Sequence, residues 1–181
     1  IPLRLVGSEM CIRDSYKSGL GSGGLVNTKY VVGILDALRK EKDISLDENL
    51  LQVYEDWIKD HPYDAGVGWG LVPWSQEEMP LDDALIEAAD DDIALVIIGR
   101  TAGEDQDNVN EAGSYLLTAA ERDMIAKVSR KFKRTAVILN VGNIIDMKWV
   151  EELQPSAVLY AWQGGCLLYT SPSPRDVEES R

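Results

Sequence analysis

Histidine and cysteine are scarce in this chain, and their scarcity excludes much of enzyme chemistry. Its 181 residues hold one histidine, His61, and two cysteines, Cys11 and Cys166. Both cysteines lie near the ends, so the long middle of the chain has no disulfide, thiolate nucleophile or cysteine zinc site to argue for. A Ser–His–Asp triad would have to use His61, and no nucleophile-elbow serine accompanies it. His61 therefore reads as a loop residue. Long apolar runs are also missing. The longest purely aliphatic stretch, Ile93 to Ile98, falls far short of the roughly 20 residues of a membrane-spanning helix. Basic residues are outnumbered 18 to 31, for a formal charge of -13. Nucleic acid and anionic membranes both call for a basic face, so neither is an expected partner.

What is present is the composition of an ordinary globular domain, with 45% hydrophobic residues. The length suits one domain. The two ends stand apart. LVGSEMCIRD (Leu5 to Asp14) and CLLYTSPSPR (Cys166 to Arg175) can be encoded by the two complementary strands of one DNA string, which resembles a transposase sequencing adapter. Residues 1–15 and 166–181 are therefore expected to be translated adapter that makes few contacts with the body. They are set aside in reasoning about the fold. Residues 16–165 are expected to be a fragment of a longer protein.

Within that segment YKSGLGSGG, Tyr16 to Gly24, is a glycine-rich loop. It leads into a helical pattern in which Val31, Val32, Ile34, Leu35 and Leu38 recur with the α period and Asn27 or Thr28 can cap. Ser45 with Glu48 has the spacing of a capping box for a second helix, whose stripe is Leu50, Leu51, Tyr54, Trp57 and Ile58. A long aromatic loop, broken by Gly and Pro, follows. The pattern then turns regular: a helix near Leu81–Ala89, a strand at Ile93–Ile98, an acidic loop, and a helix capped by Thr118 with Glu121 that runs to about Phe132. The strand TAVILNV, the short helix DMKWVEEL and the strand AVLYAW complete it. Strands that alternate with helices and read as continuous apolar runs predict an α/β fold, a mostly parallel sheet flanked by helices in a three-layer sandwich.

Sites in such sheets form at the carboxyl ends of strands. Three segments lie there: Gly99 to Asp107, Gly142–Asn143 and Gln163–Gly165. The first sets Glu104, Asp105 and Asp107 beyond a buried strand. Asp105, Asp107 and Glu111 would disfavour ionisation of Glu104, and Arg100 would oppose them. A carboxyl held protonated near neutral pH is what a general acid requires; a solvated acidic turn is the plain alternative. GLGSGG fits the letters of a dinucleotide fingerprint, but a second helix, not a strand, is expected after the first. The same loop can instead bring its backbone and Ser22 to a polar ligand, or serve as a flexible turn. Tyr63, Trp69 and Trp74 suit either sugar stacking or loop packing. Trp57, Trp149 and Trp162 are expected in or near the core.

Taken together, GSGGLVNTKY, VIIGRTAGEDQDN, YLLTAAERDMIAKVS, AVILNVGNIIDMKWV and AVLYAWQGG, in this order and spacing, resemble the second domain of family 3 glycoside hydrolases, the β-glucosidase family. The resemblance spans nearly all of residues 16–165. It implies an α/β-sandwich fragment that follows a (β/α)8-type barrel absent from this chain, with a carbohydrate as substrate. It implies no metal and no organic cofactor, and it allows a homo-oligomer of the intact protein. The family's nucleophile is an aspartate of the barrel. Its acid/base glutamate, in a Ser-Gly-Glu-Gly-like motif, corresponds to Glu104, with Ala102 and Asp105 in place of the commoner serine and glycine. A sugar-contacting serine of the glycine-rich loop corresponds to Ser22, with Leu20 where threonine is frequent. A retaining glycosidase needs two carboxylates about 5–5.5 Å apart, and this segment would supply one. The alternatives are a non-catalytic carbohydrate-binding or structural domain, and a dinucleotide-binding domain.

Overall fold

In a computed structural model of the chain, the described residues are 2–7 (backbone only), 33–62, 77–89, 93–100 and 107–162. They form, in order, β1 (Pro2–Gly7), α1 (Ile34–Lys40), β2 (Ser45–Leu46), α2 (Glu48–Asp60), α3 (Asp83–Glu87), β3 (Ile93–Arg100), α4 (Ala119–Lys131), β4 (Arg134–Val141), α5 (Lys148–Leu153) and β5 (Ala157–Tyr160). The sheet has the strand order β2-β1-β3-β4-β5, and each pairing is parallel. The three strands expected from the apolar runs are β3, β4 and β5, in continuous register from Ile93 opposite Arg134 to Arg100 opposite Val141, and from Ala136 opposite Ala157 to Leu139 opposite Tyr160.

β1 was not expected. Residues 1–15 were to stay off the body, yet Leu3 to Gly7 pair with Ile93 to Ile97, and Pro2 and Leu3 pair with Ser45 and Leu46. The physical reason is the edge of β3, whose N–H and C=O groups template any extended segment that reaches them. This place in the sheet bears on contacts and not on which DNA encoded the peptide. Residues 8–15 and 166–181 lie outside the described residues.

Strand alternation divides the core into two layers, one on each face. Ala94, Val96 and Ile98 of β3 and Val137, Leu139 and Val141 of β4 pack with Ile86 of α3, with Met124, Ile125 and Val128 of α4, and with Trp149 of α5. Ile97, on the opposite face, packs with Leu35 of α1 and Leu51 of α2, and Leu95 and Ile138 border them. The stripe of α2 is as predicted: Leu50, Leu51 and Tyr54 are buried, and Trp57 and Ile58 pack partly against the core.

Two helix starts differ from expectation. Ser45 lies in β2, and Asp47 caps α2 instead, its Oδ1 accepting from the backbone N–H groups of Asn49 (3.0 Å) and Leu50 (3.1 Å). The helix begins at Glu48, so Ser45 stands two residues before the cap position, where its hydroxyl does not meet the free N–H groups of the first turn. A strand of two residues therefore follows the first helix. α1 starts after Gly33, whose N–H donates to Asp36 Oδ2 at 3.2 Å; Asn27 and Thr28 lie outside the described residues. The box at the head of α4 is as read: Thr118 Oγ1 accepts from Glu121 N, and Glu121 Oε2 accepts from Thr118 N. His61 is the C-cap of α2, stacked on Trp57 with ring centroids 3.6 Å apart, at the point where the loop begins.

Candidate functional site at the carboxyl edge of the sheet

From β1 the chain moves outward to β2, then returns to β3 on the other side and proceeds to β4 and β5. The strand order thus reverses between β1 and β3. A doubly wound sheet opens a crevice at the carboxyl ends of its strands at such a point. β1 ends there at Gly7 and β3 at Arg100. The chain between Gly7 and α1 includes Ser22, and the chain between Arg100 and Asp107 includes Glu104 and Asp105. These three residues lie outside the described residues, as do Tyr63, Trp69, Trp74 and Gln163–Gly165.

The described residues that bracket Glu104 are firmly held. Arg100, the last residue of β3, is 1% exposed. Its Nη1 and Nη2 donate to Glu121 Oε1 at 2.5 Å and Oε2 at 2.7 Å, a bidentate ion pair buried on both sides. Its remaining donors reach backbone carbonyls: Nη1 to Gly99 at 2.7 Å, Nε to Ser114 at 3.2 Å and Nη2 to Leu116 at 3.4 Å. The cation expected to oppose the crowding of acids in the loop is matched by Glu121. On the far side of Glu104, Asn108 Nδ2 donates to the carbonyl of Ile144 at 2.6 Å, and the Val109 N–H donates to Ser114 Oγ at 3.2 Å.

A third carboxyl, Glu78, is buried beside this pair and has no hydrogen-bonded partner of good geometry. Burial pushes its carboxyl well above the usual range. The negative charge of Glu121 adds to that, and the backbone amide of Met79 and the Arg100 cation oppose it.

Further along the edge, Asp107, Asn108, Gly142, Asn143, Ile144 and Trp162 line an open cavity of about 370 Å³. Trp162 was expected in or near the core, and it is 54% exposed. The reason is backbone geometry. Ala161 N–H still pairs with the carbonyl of Leu139 at 2.9 Å, but Trp162 turns out of the sheet with φ 60. Its ring leans on Tyr160, centroids 4.5 Å apart, and the Tyr160 hydroxyl donates to the carbonyl of Asn143. Trp149 is buried as expected, and Trp57 packs partly. Sequence reasoning missed Glu78 and the partnership of Arg100 with Glu121. The capping-box spacing had flagged Glu121, but nothing local points to a cation 21 residues away.

This is an α/β domain with a doubly wound parallel sheet, whose carboxyl edge is the candidate site. The sequence matches the glycosyl hydrolase family 3 C-terminal domain over residues 3–167, and the chain belongs to that family. It is 54% identical over 154 residues to a β-glucosidase of Ruminococcus albus, a match covering 84% of this chain. Its structure is similar to that of a β-glucosidase from Paenibacillus barengoltzii, with a TM-score of 0.85 and 46% identity over 91% of this chain. It is also similar to β-glucosidase 3B of Thermotoga neapolitana in complex with glucose, at a TM-score of 0.76 and 26% identity over 92% of this chain. The chain spans only 16%, 18% and 24% of the lengths of these three proteins. The dinucleotide-binding alternative is not favoured. The relatives are β-glucosidases, and Asp47, the acid that follows β2, is engaged as the cap of α2.

Proposed function

We propose that this chain is the acid/base half of a retaining β-glycosidase, a β-glucosidase by the names of its relatives, acting on terminal β-linked sugars. Glu104 is the general acid/base, Ser22 contacts the sugar, and a barrel domain of the same protein brings the nucleophilic aspartate. The observation that carries this reading is topological. The chain segments that contain Ser22 and Glu104 continue from the carboxyl ends of β1 and β3, the two strands that flank the reversal of strand order.

The chemistry requires two steps. The barrel carboxylate attacks the anomeric carbon while Glu104 protonates the departing oxygen. The Glu104 carboxylate then takes a proton from water as that water releases the sugar from its ester. Burial of Arg100 against Glu121 and the Asn108–Ile144 bond fix both stems of the loop. A base that must meet a proton within hydrogen-bond reach benefits from stems fixed in this way.

The test is the dependence on leaving group. In a longer enzyme that carries this domain, Glu104→Ala should slow hydrolysis of a β-linked disaccharide by roughly a hundred- to ten-thousand-fold. The first step should lose far less with an aryl glycoside whose leaving group needs little protonation. Disaccharide hydrolysis near the unsubstituted rate would return the acids of this loop to a solvated turn. The 181-residue chain alone should hydrolyse neither substrate, since one carboxylate cannot complete a double displacement.

A further inference from the structure

Glu78 is a second carboxyl in a buried cluster that has one cation. The chain enters the core here because Met79 and Leu81 are buried, each 5% exposed, and Glu78, at 6%, goes in with them. Among the described residues, the charged groups that act on it are Arg100, at the end of β3, and Glu121, in the first turn of α4. Arg100 is fully engaged. A guanidinium has five N–H donors, and here each has an acceptor: Glu121 Oε1 and Oε2, and the carbonyls of Gly99, Ser114 and Leu116. The pair is neutral as it stands, and neither oxygen of Glu78 has a hydrogen-bond partner of good geometry.

The two protonation states of Glu78 make different demands. The neutral acid leaves a hydrogen bond unmade, a modest cost. A carboxylate at the same place is a buried charge with no partner, a much larger one. It can lower that cost only by drawing donors of Arg100 away from their present acceptors. Those acceptors hold the stems of the segment that contains Glu104. Arg100 is itself the first stem. The Ser114 and Leu116 carbonyls belong to the second, where Ser114 Oγ accepts from the Val109 N–H and the Val109 carbonyl accepts from the Glu111 N–H at 2.8 Å. The guanidinium is therefore a brace from one stem to the other, and the proton on Glu78 bears on whether the brace stays whole.

We propose that Glu78 is a positioning residue for the acid/base: with its proton it leaves the Arg100 brace to Glu121 and the stem carbonyls, and without it the carboxylate competes for Arg100 and loosens the stems. The proposal rests on the glycosidase reading for its effect on catalysis, but not for the competition within the cluster. Activity then falls at alkaline pH for a reason separate from the ionisation of Glu104.

The first test uses the whole 181-residue chain and the Arg100 Nε–H signal in ¹H–¹⁵N spectra, from about pH 5 to about pH 9, a span that covers buried glutamates. The signal should move with one titration as the donors exchange acceptors, and Glu78→Gln, whose amide does not ionise, should leave it in place. Glu78→Leu serves the same purpose if the glutamine variant fails to fold. The side-chain carboxyl carbon of Glu78, followed in the unsubstituted chain, should titrate at the same midpoint. An Arg100 signal that stays still, that moves alike in a folded variant, or that moves at a midpoint other than that of Glu78 would overturn the proposal. The second test uses a longer enzyme that carries this domain. The alkaline fall of kcat/KM for a β-linked disaccharide should carry two ionisations, Glu104 and Glu78, and become steeper than about tenfold per pH unit; in Glu78→Gln it should carry one, at about tenfold. Equal falls in the two enzymes would overturn the positioning role. Failure of the Glu104 reading would show differently: Glu104→Ala would hydrolyse the disaccharide near the unsubstituted rate, while the Arg100 titration and its loss in Glu78→Gln stood.

Discussion

Arg100, Glu121 and Glu78 place three ionisable groups in the interior next to the acidic loop, and they make different contributions to stability. Arg100 and Glu121 satisfy each other's hydrogen bonds, so loss of one partner strands the other. Glu121→Ala should cost about 3–5 kcal/mol in urea denaturation. The double change Arg100→Met with Glu121→Leu should cost clearly less than the sum of the single changes, because no charge is then left buried. Equal and additive losses would mean that the pair is not coupled. Glu78 has the opposite character. Its folded-state pKa is raised, chiefly by burial, so the fold prefers the neutral acid. That contribution is fully present below the unfolded value of about 4.3 and is lost as pH rises toward the folded value. Glu78→Gln mimics the neutral form. Its stability relative to the unsubstituted chain should therefore improve as denaturation is repeated from about pH 4 to about pH 7. A pH-independent difference would contradict a buried neutral Glu78. Only Glu121, through its capping-box spacing, and Arg100, as a cation beside the acids, were legible beforehand; Glu78 lies next to Glu77 with no local mark of burial, and the partner of Arg100 is distant in sequence.

At the scale of elements, the regular second half of the chain was readable because its signals are local and agree with one another. Apolar runs gave β3, β4 and β5, and the Thr118–Glu121 spacing gave the start of α4. Thr118→Ala should cost about 1 kcal/mol of stability, the usual worth of such a cap. A loss near zero would show that Glu121, pinned by Arg100, fixes the helix start without help. The first half was less readable for physical reasons. β2 has two residues, too few to show any period, and the cap stands at Asp47 rather than Ser45. β1 was passed over because its peptide has the marks of an adapter, and the edge of a sheet selects for extended backbone rather than ancestry. Deleting residues 1–7 should therefore lower the melting temperature and promote self-association through the exposed edge of β3. An unchanged, monomeric chain would show that the pairing of β1 adds nothing.

At the scale of the whole molecule, the described residues form a parallel sheet with helices on both faces and the candidate chemistry at one edge, and only part of that chemistry could be read in advance. The fold class followed from alternation of helix and strand. Glu104 and Ser22 were named through resemblance, because a family motif carries roles that composition and spacing do not. Trp162 was misjudged, since an apolar run gives no sign of where its last residue leaves the sheet. The central claim is that Glu104 supplies the proton and then removes one, opposite a nucleophile held elsewhere in the protein. The most direct measurement is azide rescue of Glu104→Ala in a longer enzyme that carries this domain, with an aryl β-glucoside as substrate. Azide needs no general base, so it should accelerate release from the glycosyl ester, and two displacements should leave the β-glycosyl azide as product. Failure of azide to raise turnover, or an α-configured azide, would contradict the account.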